Sequence, residues 1–550
     1  MQARRISAVV GAALIVLIDR GLRRRGDPRP CAGPDPGAGG PGRHRGSGAH
    51  HRPGAYARAP KAAAPTSFRI AVGIDPDNMD PAQITTVLVT NIVKYMAEPL
   101  VKIDKEGKAQ PALATSWEIS DDGLEYTLHL REEVTFQDGT PFDAEAVKWN
   151  FDRLFDPNIK SRNLRNFAAI KEVEAVDANT VKVHLKNPSA PMLGVLSTYL
   201  LVSPESAKAE GNSYEAISVP VGTGPYGFKE RVAGERIVVA RNANYWGEQP
   251  YYDEVVFQIV PEAATRESLL LAGQVDMIVL PPISDVPALQ ANPDVKVLLV
   301  PTSRILYIGI NNRDKDGVLT DVRVRQALNY AVDKQAIIRS VLFNAGEPME
   351  NPIGAKLYGD CSQSPYDYNP EKAKELLSEA GHANLELGFI SPTGRYVQDY
   401  PAAEAIAGYL AEVGVKTSLQ TMDWPSYVGA ITTPPEESTL DLHLLGWAPG
   451  FIDASQMAIM YDSTFQVPNG LGTSFYSNTT VDELLSAASQ EVDPKKRQDL
   501  YCQALKIIWE DAPVIFLWVQ HNPIIHRANI TNVDGLPTEE FDAIYARPAG

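Results

Sequence analysis

From Ser67 onward, segments that announce themselves as helices alternate irregularly with strand-like runs, and no unit recurs at a period of about 20 to 50 residues. That excludes solenoids and propellers and leaves lobes of mixed α/β or α+β type. SFRIAVG at Ser67 reads as a strand broken by Asp75 and Pro76. Asn369 and Pro370 open a helix whose one face carries Ala373, Leu376, Leu377 and Ala380, with Gly381 as its stop. Asp321 caps a second helix, Thr480 with Glu483 makes a capping box, and Asp493 with Pro494 starts a long helix through Ile508. Strands are expected at residues 126–130, 236–240, 253–260, 304–310 and 514–519.

At 550 residues the chain outgrows a single hydrophobic core, so two or three domains are expected. Its charge is split: residues 1–61 hold twelve Lys and Arg against three Asp, whereas the remainder carries 39 basic and 65 acidic groups. A body with a net charge of -26 lacks the basic footprint that nucleic acid or an anionic membrane requires. Two arginines followed by an apolar stretch at residues 6–18 form the n- and h-regions of a secretory signal, too short to span a bilayer in the ordinary way. The protein is therefore expected to be exported, to the periplasm or cell envelope. Asp19 and Arg20 take the place of the small residues of a cleavage site, and Cys31 in RPCAG lacks a lipid-anchor pattern. Residues 21–65 are rich in Gly, Pro and Arg without any period, and disorder is expected there.

Catalytic signatures are missing. Gly222, Gly224 and Gly227 spell GxGxxG, but Pro225 interrupts it and a strand-like run follows instead of the helix whose N-terminus would hold a pyrophosphate. These glycines read as a tight turn between lobes. There is no GxxxxGK[ST], HExxH, GxSxG or CxxC, and the histidines are dispersed. No cofactor, metal site or catalytic residue is expected.

EPLVKID at Glu98, the long PALATSWEISDDGLEYTLHLREEVTFQDGTPFDAEAVKWNFDRL from Pro111, PVGTGPYGF at Pro220, ARNANYWG at Ala240 and TRESLLLAGQVDM at Thr265 follow in order. VRVRQALNYAVDK at Val322, YNPEKAKELLSEAG at Tyr368 and DAPVIFLW at Asp511 complete the series. Together they resemble the extracytoplasmic solute-binding proteins of family 5, the dipeptide, oligopeptide and nickel-binding group. Most of these residues read as scaffold: Trp117 and Tyr126 as core aromatics, Asp143 as a helix N-cap, Asp333 with Lys334 as a polar helix end.

The resemblance implies a mixed α/β, two-lobed periplasmic binding protein-like fold with an additional domain and a ligand cleft between lobes. Residues 66–97, 220–302 and 522–550 would form a discontinuous lobe I, 98–219 an extra domain II, and 303–521 lobe III. It implies a monomer that captures a peptide or peptide-like small molecule and delivers it to ABC permease subunits. A metal chelate, an opine-like conjugate or an oligosaccharide are the alternatives within the fold, and a signalling module shares every feature. An extracytoplasmic hydrolase would need a nucleophile, metal or spaced carboxylate pair that the sequence does not display.

Two loops resemble the family's contact segments. LGWAPGFIDAS carries Trp447, which packs on ligand by the resemblance or closes a hydrophobic edge, together with Gly450, Phe451 and Asp453. SPTGRYVQDYP carries Arg395, a carboxylate partner or a surface arginine, and Tyr396. Gly450 stands where peptide-binding relatives often carry an acid for the ligand's ammonium group. Asp453 is either a second acid for that task or a shaper of the turn. Cys361 and Cys502 are the body's thiols, and a disulfide and two buried free thiols both stay open.

Overall fold

The computed structural model describes residues 66–354, 357–467 and 470–550. The signal-like segment at residues 1–20 and the Gly/Pro/Arg-rich tract at 21–65 lie outside the described residues.

Apolar alternation over the strand runs generates one sheet of eleven strands. Its path runs Val415–Met422, Leu385–Pro392, Leu442–Trp447, Val295–Ile310, Val514–Arg527, Met277–Val279, Ser67–Val72, Glu254–Ile259, Arg236–Arg241, Tyr226–Val232. Gly346–Pro348 pairs onto Val514–Arg527 off this path. Two strands serve both halves of the sheet. Val295–Ile310 and Val514–Arg527 pair antiparallel from Val295 opposite Arg527 to Pro301 opposite His521, and again from Ile305 opposite Val519 to Gly309 opposite Val514.

Between these stretches the register shifts, and backbone leaving a ladder needs other partners. Thr302 donates its hydroxyl to the Gln520 carbonyl at 2.6 Å, and Ser303 gives its N–H (2.7 Å) and its hydroxyl (2.9 Å) to the Pro537 carbonyl. The C-terminal segment thus seals the point where the chain passes from one half to the other.

Separate cores lie on either side of this joint. Phe68, Ile70, Tyr95, Tyr226, Phe257 and Met277 pack in one half; Ile308, Val324, Leu328, Phe389, Ile406 and Leu517 pack in the other. A further core, with Tyr126, Leu128, Val147, Phe151 and Val183, belongs to a four-stranded antiparallel sheet covered by helix Ala144–Phe155. A buried bidentate pair, Arg153 with Asp80 at 2.8 and 2.5 Å, fastens this helix to the segment after the first strand.

The expected caps at Asp143, Asp321, Asn369 and Asp493 each accept a first-turn N–H. Others differ. Helix Thr479–Gln490 is capped by Asn478, not by Thr480, because it begins earlier and the Asn478 side chain reaches the N–H groups of Thr480 and Val481. Asp333 caps a new helix, Lys334–Ser340, instead of ending one, and Lys334 is buried with its ammonium group on the Asn329 and Tyr366 carbonyls. Trp117 is only half-buried. At Gly224 a Cβ would stand 2.6 Å from the Tyr95 carbonyl oxygen, so close backbone approach explains the glycine, and strand Tyr226–Val232 follows it directly.

Candidate functional site

Helix Val87–Val93 and the C-terminal segment at 536–545 wall two adjoining cavities, and the joint at residues 300–304 lines the first of them. The first, of about 400 Å³, is lined among others by Thr302, Arg304, Arg395, Tyr396, Gln520 and Glu539. The second, of about 370 Å³, includes Lys94, Glu98, Lys102, Gly450, Phe451 and Asp542. Val87, Leu536 and Glu540 line both, so the two adjoin.

Arg395 and Tyr396 follow strand Leu385–Pro392 in a loop organised by the buried Asp399. Its carboxylate accepts the N–H groups of Gly394 (3.1 Å), Arg395 (2.7 Å) and Tyr396 (3.1 Å). The Arg395 guanidinium lies 5.0 Å from the centroids of both the Tyr396 and Trp424 rings, an arrangement that positions the cation without neutralising it. Among the described residues it forms no ion pair. Tyr396 donates its hydroxyl to the Gly446 carbonyl at 3.1 Å, and burial pushes its phenol pKa up.

Gly450 and Phe451 sit in the second cavity. A Cβ at Gly450 would meet only the Gln456 amide, at 3.6 Å, so steric demand does not explain the glycine. Phe451 reaches across to the core of the four-stranded sheet, where Gly194 makes room for it: a Cβ there would stand 2.7 Å from the ring.

Two expected contacts are engaged elsewhere. Asp453 is buried with both carboxylate oxygens on Arg497, at 2.7 and 2.9 Å, and also caps the short helix that follows. Burial opposes the Arg497 charge, but the Asp453 carboxylate outweighs it and holds the guanidinium above its ordinary pKa. Trp447 ends strand Leu442–Trp447 opposite Ile305 and packs on the core of Ile305, Tyr307 and Phe516; neither cavity's lining includes it. That placement favours the alternative of closing a hydrophobic edge.

Cys361 and Cys502 are joined as a disulfide, with Cα atoms 5.4 Å apart. The bridge ties to helix Pro494–Asp511 a segment whose Tyr358 exchanges backbone hydrogen bonds with Ile452 and Ala454, next to Phe451.

Several cavity charges carry no sequence signal. Arg304 and Glu539 form a bidentate pair at 2.7 Å twice, and Lys94 reaches Glu540 at 3.1 Å. Glu98 accepts from Tyr245 (3.0 Å), Trp246 (2.8 Å) and Thr223 (3.1 Å), with Lys102 at 3.5 Å. These partners lie up to several hundred residues apart in the chain.

Residues 108–469 match the family described as Bacterial extracellular solute-binding proteins, family 5 Middle. The chain is 31% identical over 481 residues to the glutathione-binding protein GsiB of Escherichia coli strain K12, covering 86% of this chain and 92% of that one. The protein is a family 5 solute-binding protein. Among solved structures, HbpA2 from Haemophilus parasuis superposes with a TM-score of 0.79 at 27% identity, over 88% of this chain and 99% of that one. The periplasmic binding protein DppA from Helicobacter pylori, solved with the peptide STSA, gives 0.69 at 26% identity, over 87% and 98%. The expected two-lobed mixed α/β architecture agrees with these matches, and a family 5 solute-binding protein retains its ligand without chemistry.

Proposed function

We propose that this protein captures a peptide of a few residues, or a peptide-like molecule of that size, between its lobes and delivers it to the permease subunits of an ABC importer. It acts as an exported monomer. The observation that carries this is a pair of adjoining cavities, the first at the joint of the two long strands and holding Arg395, which forms no ion pair among the described residues, the second holding Gly450 and Phe451. GsiB is named for binding glutathione, itself a short peptide, and DppA was solved with one, which supports the same ligand class here.

The lobes are those expected above, residues 66–97, 220–302 and 522–550 against residues 303–521, with 98–219 as the extra domain. They would turn about the register break near Thr302 and Gln520. A ligand touching both lobes favours the closed state by its differential affinity, and the permease would sense that state. Arg395 and Tyr396 are the proposed contacts in the first cavity and Gly450 and Phe451 in the second, whereas Trp447 and Asp453 hold the loop.

The test is mass spectrometry of ligand released from denatured protein, followed by calorimetry with glutathione, trialanine, a nickel–histidine chelate and maltotriose. Peptide released or bound is the expected result. Binding of the chelate or the sugar with no response to either peptide would overturn it.

A further inference from the structure

Charges lining the two cavities are almost all matched. Arg304 is held by Glu539, Lys94 by Glu540, and Lys102 lies against Glu98. Among the described residues, two lining charges form no ion pair: Arg395 in the first cavity and Asp542 in the second. Asp542 is exposed, at the end of the short strand Phe541–Asp542 that pairs with Asp534–Gly535. A carboxylate left unmatched in a cavity whose other acids are taken is the group free to meet a ligand cation, since hydrogen bonds to an ionised partner are the strong ones. Gly450 lines this same cavity and brings no charge to it.

We infer that Asp542 is a specificity-determining residue that holds the cationic end of the ligand, so that Arg395 and Asp542 together select a zwitterion whose opposite charges lie in adjoining cavities. The inference rests on the peptide-like ligand proposed above and adds a direction to it: carboxylate toward Arg395, ammonium toward Asp542. The second cavity supplies this counter-charge from the C-terminal segment, not from the loop that carries Gly450.

The experiment is calorimetry with trialanine and N-acetyl-trialanine on the wild-type protein and on Asp542→Asn, with Asp542→Ser as a second variant at this exposed position. Acetylation removes the ammonium charge. It should weaken binding to the wild type by about tenfold or more and should weaken binding to either variant far less, because the partner is already gone. An acetylation penalty that is as large in both variants as in the wild type would overturn the role of Asp542 while leaving the peptide reading intact. Failure of both peptides to bind the wild type would overturn this inference, and the peptide reading falls with it when glutathione gives no response either.

Discussion

Arg497 grips both oxygens of Asp453, with Nη2–Oδ1 at 2.7 Å and Nη1–Oδ2 at 2.9 Å, and both residues are buried. Arg497 also donates to the Tyr501 hydroxyl and the Ala488 carbonyl, so the pair is satisfied within the protein. Removing one member leaves the other charge buried alone. Asp453→Asn should therefore lower unfolding stability by about 3 kcal/mol or more, read from urea midpoints. The affinity ratio between free-amine and acetylated peptide should stay as in the wild type. An unchanged midpoint with a collapsed ratio would instead make Asp453 the ammonium partner.

Arg395 is the opposite case, an exposed cation clamped between two rings and without an ion pair among the described residues. Arg395→Gln should fold with stability within about 0.5 kcal/mol of the wild type. It should bind a free-carboxylate peptide more weakly by about 1.5–3 kcal/mol, the range for a hydrogen bond to a charged group. Affinity for the C-terminal amide should change little. Equal losses for both ligands in calorimetry would show that Arg395 shapes the loop and does not read the carboxylate.

The Cys361–Cys502 bridge closes a sequence separation of 141 residues and so constrains the unfolded chain strongly. Denatured, non-reduced protein consisting of residues 66–550 should titrate with no free thiol. Replacing both cysteines by serine should lower stability by about 2–4 kcal/mol. Two titratable thiols would refute the pairing.

Local signals in the sequence were the legible ones. Asn369, Asp321, Asp143 and Asp493 each cap a helix because an Asx side chain needs only the N–H groups two or three residues ahead. What depends on long-range assembly was not legible. The expected strand at 304–310 is the second half of Val295–Ile310, whose first half, from Val295 to Pro301, is set by pairing with residues 521–527, not by its own pattern. Arg304 meets Glu539, Asp453 meets Arg497 and Lys94 meets Glu540 across separations that leave no periodic trace. For the same reason the cavity's unpaired charges emerge only after every other acid and base has found its partner, and Asp542 escapes a motif search entirely.

His443 provides a test of the sheet's interior. It is buried on strand Leu442–Trp447, with Nε2 2.8 Å from the Thr473 hydroxyl and its ring packed over Gly309, where any Cβ would collide with it. Burial lowers its pKa from 6.5 to about 4, so the folded protein keeps the ring neutral while the unfolded chain protonates near 6.5. The unfolded state thus binds more protons between those values. Stability from this group is complete above pH 6.5 and is lost as pH falls toward 4, by about 3 kcal/mol at 1.36 kcal/mol per pKa unit. His521 and His526 are lowered by burial too and act in the same direction, so the wild type alone does not isolate His443. The comparison is with His443→Gln, whose amide can still meet Thr473 but does not titrate. Urea midpoints measured from pH 7 to pH 4 should fall more steeply for the wild type than for the variant. Parallel falls would mean that the His443 ring takes up its proton as readily in the folded sheet as in water, and the neutral buried imidazole would have to be abandoned.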